Sequence, residues 1–346
     1  IPTFRPDITR EFDLIEEVAR IYGLDEIPVS HRNGGPLFSP IHRRDTIKND
    51  MRKIMTGFGF EEALGTGFAH PERQARIDST IDPIKVLNPL SDEFGVMRSR
   101  MLYSLLASGG NNIRHRNIDF KLFEIGRVYR QNGKESSEPE YLGLIMTGKP
   151  EGTYWKTKPV PGDFYEIKGI LAALADSLSV DMPQLVAAPM PGYDPSQSYQ
   201  IVCGEHCLGH IGRVDRRVGR VFDIKQDCFA AELELSGFID LQKDLKRFQS
   251  LPKYPASSRD IAVIVDQSVT AAALLEEINV SGGPLMESVE VFDLFTGDPV
   301  PEGKKSLAFS VSYRSSEKTL AEQEVDEVHN RIIDHIKGKF EARLRE

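Results

Sequence analysis

Four carboxylates near the start of the chain offer the first chemical possibility. In FRPDITREFDLIEEVARIYG, Asp13, Glu16 and Glu17 fall at i, i+3 and i+4, so a helix would project all three from one face, and Asp7 lies just upstream. Carboxylates that share a volume repel one another unless a hard cation such as Mg²⁺ or a basic partner neutralises them. Acids in a first helical turn also favour the helix dipole, by about 0.3 to 1 kcal/mol each. Spacing alone leaves both readings open and favours the second.

Cys203, His206, Cys207 and His210 form a dense C-x2-H-C-x2-H group whose residue types suit zinc. Gly204 and Glu205 read as a hairpin turn, and alternation along the flanking strands sends neighbouring ligands to opposite faces. The spacing matches no common zinc pattern, so ordinary hairpin residues are expected. No G-x-S-x-G elbow and no G-x-x-x-x-G-K-[ST] loop occurs, which weighs against the corresponding hydrolases and nucleotidases. Gly209, Gly212 and Arg213 in LGHIGRVDRR could form a phosphate-facing turn, but glycines inside a hairpin more often mark tight packing, with the arginine exposed.

The elements that must position these residues follow from periodicity and breakers. Phe12, Ile15, Ala19 and Tyr22 make one helical face that Gly23 ends. HRNGGPLFSP reads as a linker, a second helix is expected over His42 to Thr56, and a glycine-interrupted strand over Phe60 to Phe68. Strand patterns recur at Phe120 to Tyr129, Tyr141 to Thr147, Tyr199 to Cys203, Cys207 to Val214 and Phe229 to Leu235. A helix opens at Asp163 with Glu166 three residues on, as in a capping box. Adjacent strands with few intervening helices indicate an α+β class with a mainly antiparallel sheet.

From about Leu251 the pattern becomes a ferredoxin-like βαββα unit: strand Arg259 to Asp266, helix Thr270 to Asn279, strands Met286 to Phe295 and Lys305 to Arg314, and helix Leu320 to Phe340. Leu307, Phe309, Val311 and Tyr313 alternate with Ser306, Ala308, Ser310 and Ser312, and Thr319 with Glu322 suggests the cap of the last helix. The polar sheet face holds serines and alanine in place of the stacked aromatics of an RRM.

The 346 residues are 40% hydrophobic and 27% charged, enough for a core and for about two domains with room for a small third. A net charge of -9 gives no general nucleic-acid surface, so any RNA contact must be local. Residues 248–346 hold 11 basic and 17 acidic side chains, yet Lys253, Arg259, Arg314 and Lys318 cluster, as do Lys337, Lys339, Arg343 and Arg345. Such cations often only solubilise a face. There is no run long and apolar enough to span a membrane, and three cysteines make no disulfide framework, so a reducing, cytoplasmic setting is expected. The chain opens with Ile1 inside what reads as a strand already in progress, which suggests a piece of a longer protein.

Several of these segments together resemble the C-terminal portion of the bacterial phenylalanyl-tRNA synthetase beta-subunit family, over essentially the whole chain. FRPDITREFDLIEEVARIYGLDEIP resembles the end of its B5 domain. NPLSDEFGVMRSRMLYSLL with FKLFEIGRVYR resembles its class II synthetase-like module, and LPKYPASSRDIAVIVD through YRSSEKTLAEQEVDEVHNRII resembles its anticodon-binding domain. The resemblance implies domains at 1–35, 36–247 and 248–346. It implies Mg²⁺ held by Asp7, Asp13, Glu16 and Glu17 at a site shared with the alpha subunit, and tRNA(Phe) contacts through Lys253, Arg259, Arg314, Ser316 and Lys318.

It also implies an assembly of two alpha and two beta chains, with ATP and phenylalanine handled by the alpha subunit. The beta module is expected to support without catalysing, and Arg130, followed by Gln131 and Asn132, lacks the close glutamate of a class II ATP site. The helix at His42 to Thr56 and the following strand stand where such enzymes build subunit interfaces. No segment here resembles an editing domain. Two alternatives remain: a stand-alone RNA-binding or regulatory protein with a ferredoxin-like domain, and a metal-dependent enzyme built on the acidic cluster, which lacks a nucleophile or base nearby.

Overall fold

A computed structural model describes residues 1–29, 41–133, 135–149, 155–156, 160–181, 183–243, 248 and 250–345. The linker expected at HRNGGPLFSP, and with it the boundaries near residues 35 and 247, lie outside the described residues. The chain divides into two compact units, Ile1–Lys246 and Arg247–Glu346.

The elements of the first unit are, in order, α1 (Glu11–Tyr22), α2 (Arg43–Gly57), β1 (Glu61–Glu62), β2 (Phe68–Ala69), α3 (Pro71–Ile77), β3 (Val96–Met97), α4 (Met101–Arg114), β4 (Phe120–Arg127), β5 (Arg130–Asn132), β6 (Glu135–Ser137) and β7 (Glu140–Thr147). There follow α5 (Phe164–Ser177), β8 (Gln184–Ala187), β9 (Tyr193–Cys203), β10 (His206–Val214), α6 (Arg216–Val221), β11 (Cys228–Glu234) and α7 (Leu235–Asp240). Seven strands form one sheet in the order β1-β4-β7-β11-β10-β9-β8, antiparallel throughout except where β1 runs parallel to β4.

Near-continuous apolar runs in β7 and β11 put them at the centre, where both faces are covered. Alternation then divides the side chains between two cores. Leu142, Leu144 and Met146 join Met51 and Met55 of α2 and Leu171 and Leu174 of α5, while Ile145 and Leu122 join Leu102, Leu105 and Leu106 of α4 on the opposite face.

The expected strand over Phe60 to Phe68 is reduced to β1 and β2, because the glycines between them serve another purpose. Gly65 donates its N–H to the Glu124 carboxylate at 3.2 Å, and the Gly67 carbonyl accepts from the Arg98 N–H at 2.9 Å, so these backbone groups are lost to a strand ladder. At Asp163 the side chain caps the Glu166 N–H at 2.9 Å, but the Glu166 carboxylate pairs with Lys121 at 2.6 Å, leaving half a capping box.

The second unit runs β12 (Ser257–Asp266), α8 (Ala271–Gly282), β13 (Met286–Phe295), β14 (Lys304–Tyr313), α9 (Glu322–Phe340) and β15 (Arg343–Leu344), with the antiparallel order β13-β14-β12-β15. This is the ferredoxin-like βαββαβ arrangement, in which the short β15 beside β12 supplies the last strand that the expected βαββα unit lacked. The apolar phase of β14 meets Leu274 and Ile278 of α8 and Val325, Ile332 and Ile336 of α9 in one core. Helix α9 starts later than the sequence suggests: Ala321 is its N-cap, and its N–H is held by Glu324 at 3.0 Å. The pair at Thr319 and Glu322 does not cap it.

Candidate functional site

The densest polar chemistry of the first unit is buried beneath its sheet and comes from Arg98, Ser99 and Arg100, the three residues ahead of α4. The Arg98 side chain, 4% exposed, reaches Glu124 of β4 at 2.5 Å, Ser104 at 2.9 Å and the Arg127 carbonyl at 2.8 Å. Ser104 closes the triangle by donating to Glu124 at 2.8 Å.

Arg100, 5% exposed, lies along Glu232 of β11, with Nε 3.0 and 3.2 Å from its two oxygens and Nη2 in contact with Oε2; Nη1 faces Asp78 at 3.5 Å. Glu232 also accepts from the Leu102 N–H at 3.1 Å and the Tyr193 hydroxyl at 3.3 Å. Burial alone would neutralise both partners. The opposite charge outweighs it, holding the Glu232 carboxyl below and the Arg100 guanidinium above their ordinary values. These groups fasten α4 to the sheet. Sequence reasoning missed them, although a glutamate in the middle of the apolar CFAAELE run, and two arginines ahead of an apolar helix, were available signals.

At α1 the four acids divide. The Asp13 carboxylate reaches back to the Thr9 and Arg10 N–H groups, both at 2.8 Å, as a helix-terminal cap. Arg5 bridges the other pair: its Nη2 lies 2.7 Å from Asp7 and 2.6 Å from Glu17. Glu17 also meets Arg20 at 2.5 Å. These hydrogen bonds, Arg5 first, pull the Glu17 carboxyl down to about 2 and lower Asp7, while the Thr9 and Arg10 N–H groups lower Asp13. Glu16 is exposed. Among the described residues no group of three or more His, Cys, Asp or Glu side chains is arranged to hold a metal ion. Two of the four acids therefore converge, on a guanidinium that stands where a cation would. Gly23, at φ +106°, ends the helix as expected, but no residue of its apolar face is buried.

Three of the four cations expected to meet tRNA are already committed to carboxylates. Arg314 holds Glu287 at 2.8 Å and the Tyr254 carbonyl at 2.7 Å, Arg259 meets Asp326 at 3.3 Å, and Lys318 meets Glu324 at 2.6 Å. Lys253 and Ser316 are exposed, and Lys253 has no ion pair among the described residues.

Cys203 and His206 face each other across the β9–β10 turn, with Gly204 at φ +60°. Arg213 is not simply exposed: it pairs with Asp194 at 2.5 Å and keeps 24% of its side-chain surface. Gly209 and Gly212 mark close approach, since a Cβ at either position would fall within 2.5 Å of a carbonyl oxygen of the neighbouring strand.

Comparison with known proteins returns three family matches in chain order: the tRNA synthetase B5 domain over residues 1–24, the phenylalanyl tRNA synthetase beta chain CLM domain over 27–235, and the ferredoxin-fold anticodon binding domain over 252–345. Among curated relatives, the phenylalanine–tRNA ligase beta subunit of Syntrophotalea carbinolica is 32% identical, covering 100% of this chain and 44% of its own length. That of Geobacter sulfurreducens is 35% identical with the same coverage, and that of Geobacillus kaustophilus 33% identical, covering 100% and 43%. The chain thus spans less than half the length of these relatives. Among the described residues, no helix is long and apolar enough to cross a membrane.

Proposed function

Because the chain belongs to the phenylalanyl-tRNA synthetase beta-chain family, we propose that it serves as a supporting and tRNA-binding part of a phenylalanine–tRNA ligase. In this reading it docks a catalytic alpha subunit, in an assembly of two alpha and two beta chains, and contributes its ferredoxin-like unit to tRNA(Phe). Three family matches in unbroken order carry the proposal. The buried arginines of the first unit are consistent with a supporting role: Arg98 and Arg100 are matched to Glu124 and Glu232, an arrangement that fastens elements together.

The domains proposed are 1–35, 36–247 and 248–346, in a cytoplasmic protein. For Mg²⁺, Asp7 and Glu17 fit in donor type and already share one cationic neighbour; Asp13 and Glu16 do not join them within this chain, which favours a site completed by the alpha subunit. The metal would supply charge neutralisation at that junction. Lys253, Arg259, Arg314, Ser316 and Lys318 remain the proposed tRNA contacts.

Co-expression with the alpha subunit tests the reading. Co-purification with phenylalanine charging of tRNA supports it. ATP–pyrophosphate exchange by the pure chain alone, or failure to capture any alpha subunit, overturns it.

A further inference from the structure

Beside the Arg100–Glu232 pair the first unit carries a half-open cavity of about 500 Å³, within the size range of small-ligand sites. Its wall combines apolar side chains, including Val128, Met190 and Leu208, with polar ones that are unevenly satisfied. Arg100 is matched by Glu232. Arg130 and Glu234 are different. Among the described residues Arg130 has no carboxylate partner: its Nη2 donates to the Tyr141 hydroxyl at 2.7 Å, and its guanidinium lies 5.4 Å from the centre of the Tyr141 ring. Glu234 has no cationic partner either; it accepts only from the Tyr141 hydroxyl at 3.4 Å and the Ser236 hydroxyl at 3.3 Å. Two opposite charges thus face one cavity, separated by a tyrosine hydroxyl.

Ser99 supplies an independent observation. It is fully buried, it lines the same cavity, and its hydroxyl makes no hydrogen bond. A buried hydroxyl without a partner costs about 1 to 3 kcal/mol, which a ligand's polar group would relieve.

We propose that this cavity binds a free α-amino acid with an apolar side chain, its carboxylate on Arg130 and the Ser99 hydroxyl, its ammonium on Glu234. The charge pattern selects this class. A phosphate-bearing ligand would bring several negative charges to a wall that already carries Asp78, Glu232 and Glu234, and a bare cation would leave Arg130 unmatched. A zwitterion satisfies both unmatched groups at once, and a planar guanidinium suits a carboxylate. The apolar wall accommodates the side chain.

Calorimetric titration of the purified 346-residue chain tests this, with no alpha subunit present to bind an amino acid of its own. The probes are L-phenylalanine with phenethylamine (no carboxylate) and 3-phenylpropanoate (no ammonium), and L-leucine with 3-methylbutylamine and 4-methylpentanoate as its corresponding half-ligands. At least one amino acid should bind with Kd at or below about 1 mM, and the matching half-ligands should bind at least about tenfold more weakly. Arg130→Met, Glu234→Gln and Ser99→Ala should each weaken that binding severalfold without lowering the melting temperature, and Ser99→Ala, which removes the unsatisfied hydroxyl, should raise it. Should Arg130→Met fail to fold, Glu234→Gln, which keeps the shape of the side chain, still decides. No binding by either amino acid at about 10 mM, half-ligands that bind as well as the whole, or affinity untouched by Glu234→Gln overturns the proposal.

Discussion

Arg100 and Glu232 stand 132 residues apart in sequence and side by side beneath the central sheet, joined through two guanidinium nitrogens and both at most 5% exposed. A pair taken this far out of water gains its strength from completeness. Glu232 has accepted from a guanidinium, a backbone N–H and a tyrosine hydroxyl, and Arg100 has a second acid at Asp78. Removing one partner strands the other.

Glu232→Ala should therefore destabilise the first unit by about 3 to 5 kcal/mol, read from the urea midpoint of unfolding. The double variant Arg100→Met, Glu232→Leu should cost much less, because no uncompensated charge remains. Equal losses from single and double variants would place the energy in packing.

The Tyr313 hydroxyl meets the half-buried His329 Nδ1 at 3.0 Å at the edge of the second unit's core, where burial, followed by the nearby Arg259 charge, keeps the His329 imidazole below its ordinary value of 6.5. Its folded value is depressed, so the unfolded chain takes up the proton first. The stability this histidine lends is present above pH 6.5 and is lost as pH falls through the folded value. Melting temperatures measured downward from pH 7 should fall, and His329→Gln should flatten part of that slope. His210 in the first unit, also held low by burial, adds a second contribution. An unchanged slope in the variant removes His329 from the account.

What the sequence revealed and what it hid separate by range. The alternation of β14, the cap at Asp163 and the stop at Gly23 are local patterns and reappear with small shifts. Helix α9 shows the limit: two acid pairs compete for its start, and Glu324, which can reach the Ala321 N–H, prevails over Glu322. Gly65 and Gly67 interrupt a strand for a reason that lies at Glu124 and Arg98, far away in sequence. At α1, helical spacing placed Asp13, Glu16 and Glu17 on one face, but the Thr9 and Arg10 N–H groups just ahead of the helix claimed Asp13 and Arg5 claimed Asp7 and Glu17. Buried charges are the hardest to read, because an isolated glutamate or arginine looks exposed until its partner is known.

At α1 the Arg5 guanidinium competes directly with any divalent cation for Asp7 and Glu17. In the alpha–beta complex, Arg5→Met should raise the Mg²⁺ retained after gel filtration, and Glu17→Gln should lower it together with subunit association. Metal content that responds to neither variant would detach Asp7 and Glu17 from Mg²⁺.

For tRNA, the useful distinction lies between cations that already hold a carboxylate and those that do not. Lys253 is exposed and unpaired among the described residues, so Lys253→Ala should lower affinity for all tRNAs and reduce the salt slope of binding by about 1. Arg314 joins Glu287 to the Tyr254 carbonyl, so Arg314→Ala should show a loss of stability alongside any loss of affinity. A Lys253→Ala variant with unaltered salt dependence removes that residue from the phosphate contacts.

Helix α4 carries adjacent glycines in its interior, where glycine normally costs about 1 kcal/mol relative to alanine, so exchange for alanine would ordinarily stabilise. Packing reverses the sign here. A Cβ on Gly110 would lie 2.1 Å from the Phe222 carbonyl oxygen, a backbone atom held by the turn after α6, whereas a Cβ on Gly109 would meet the edge of the Phe120 ring at 2.8 Å. A ring can rotate or slide; a carbonyl tied into a turn takes the helix or the turn with it. Gly110→Ala should therefore destabilise by about 1 to 3 kcal/mol despite its better helix propensity, with Gly109→Ala the milder of the two. Urea unfolding of both variants checks the order, and a Gly110→Ala chain as stable as its parent would mean that the contact between α4 and the Phe222 turn is looser than its geometry requires.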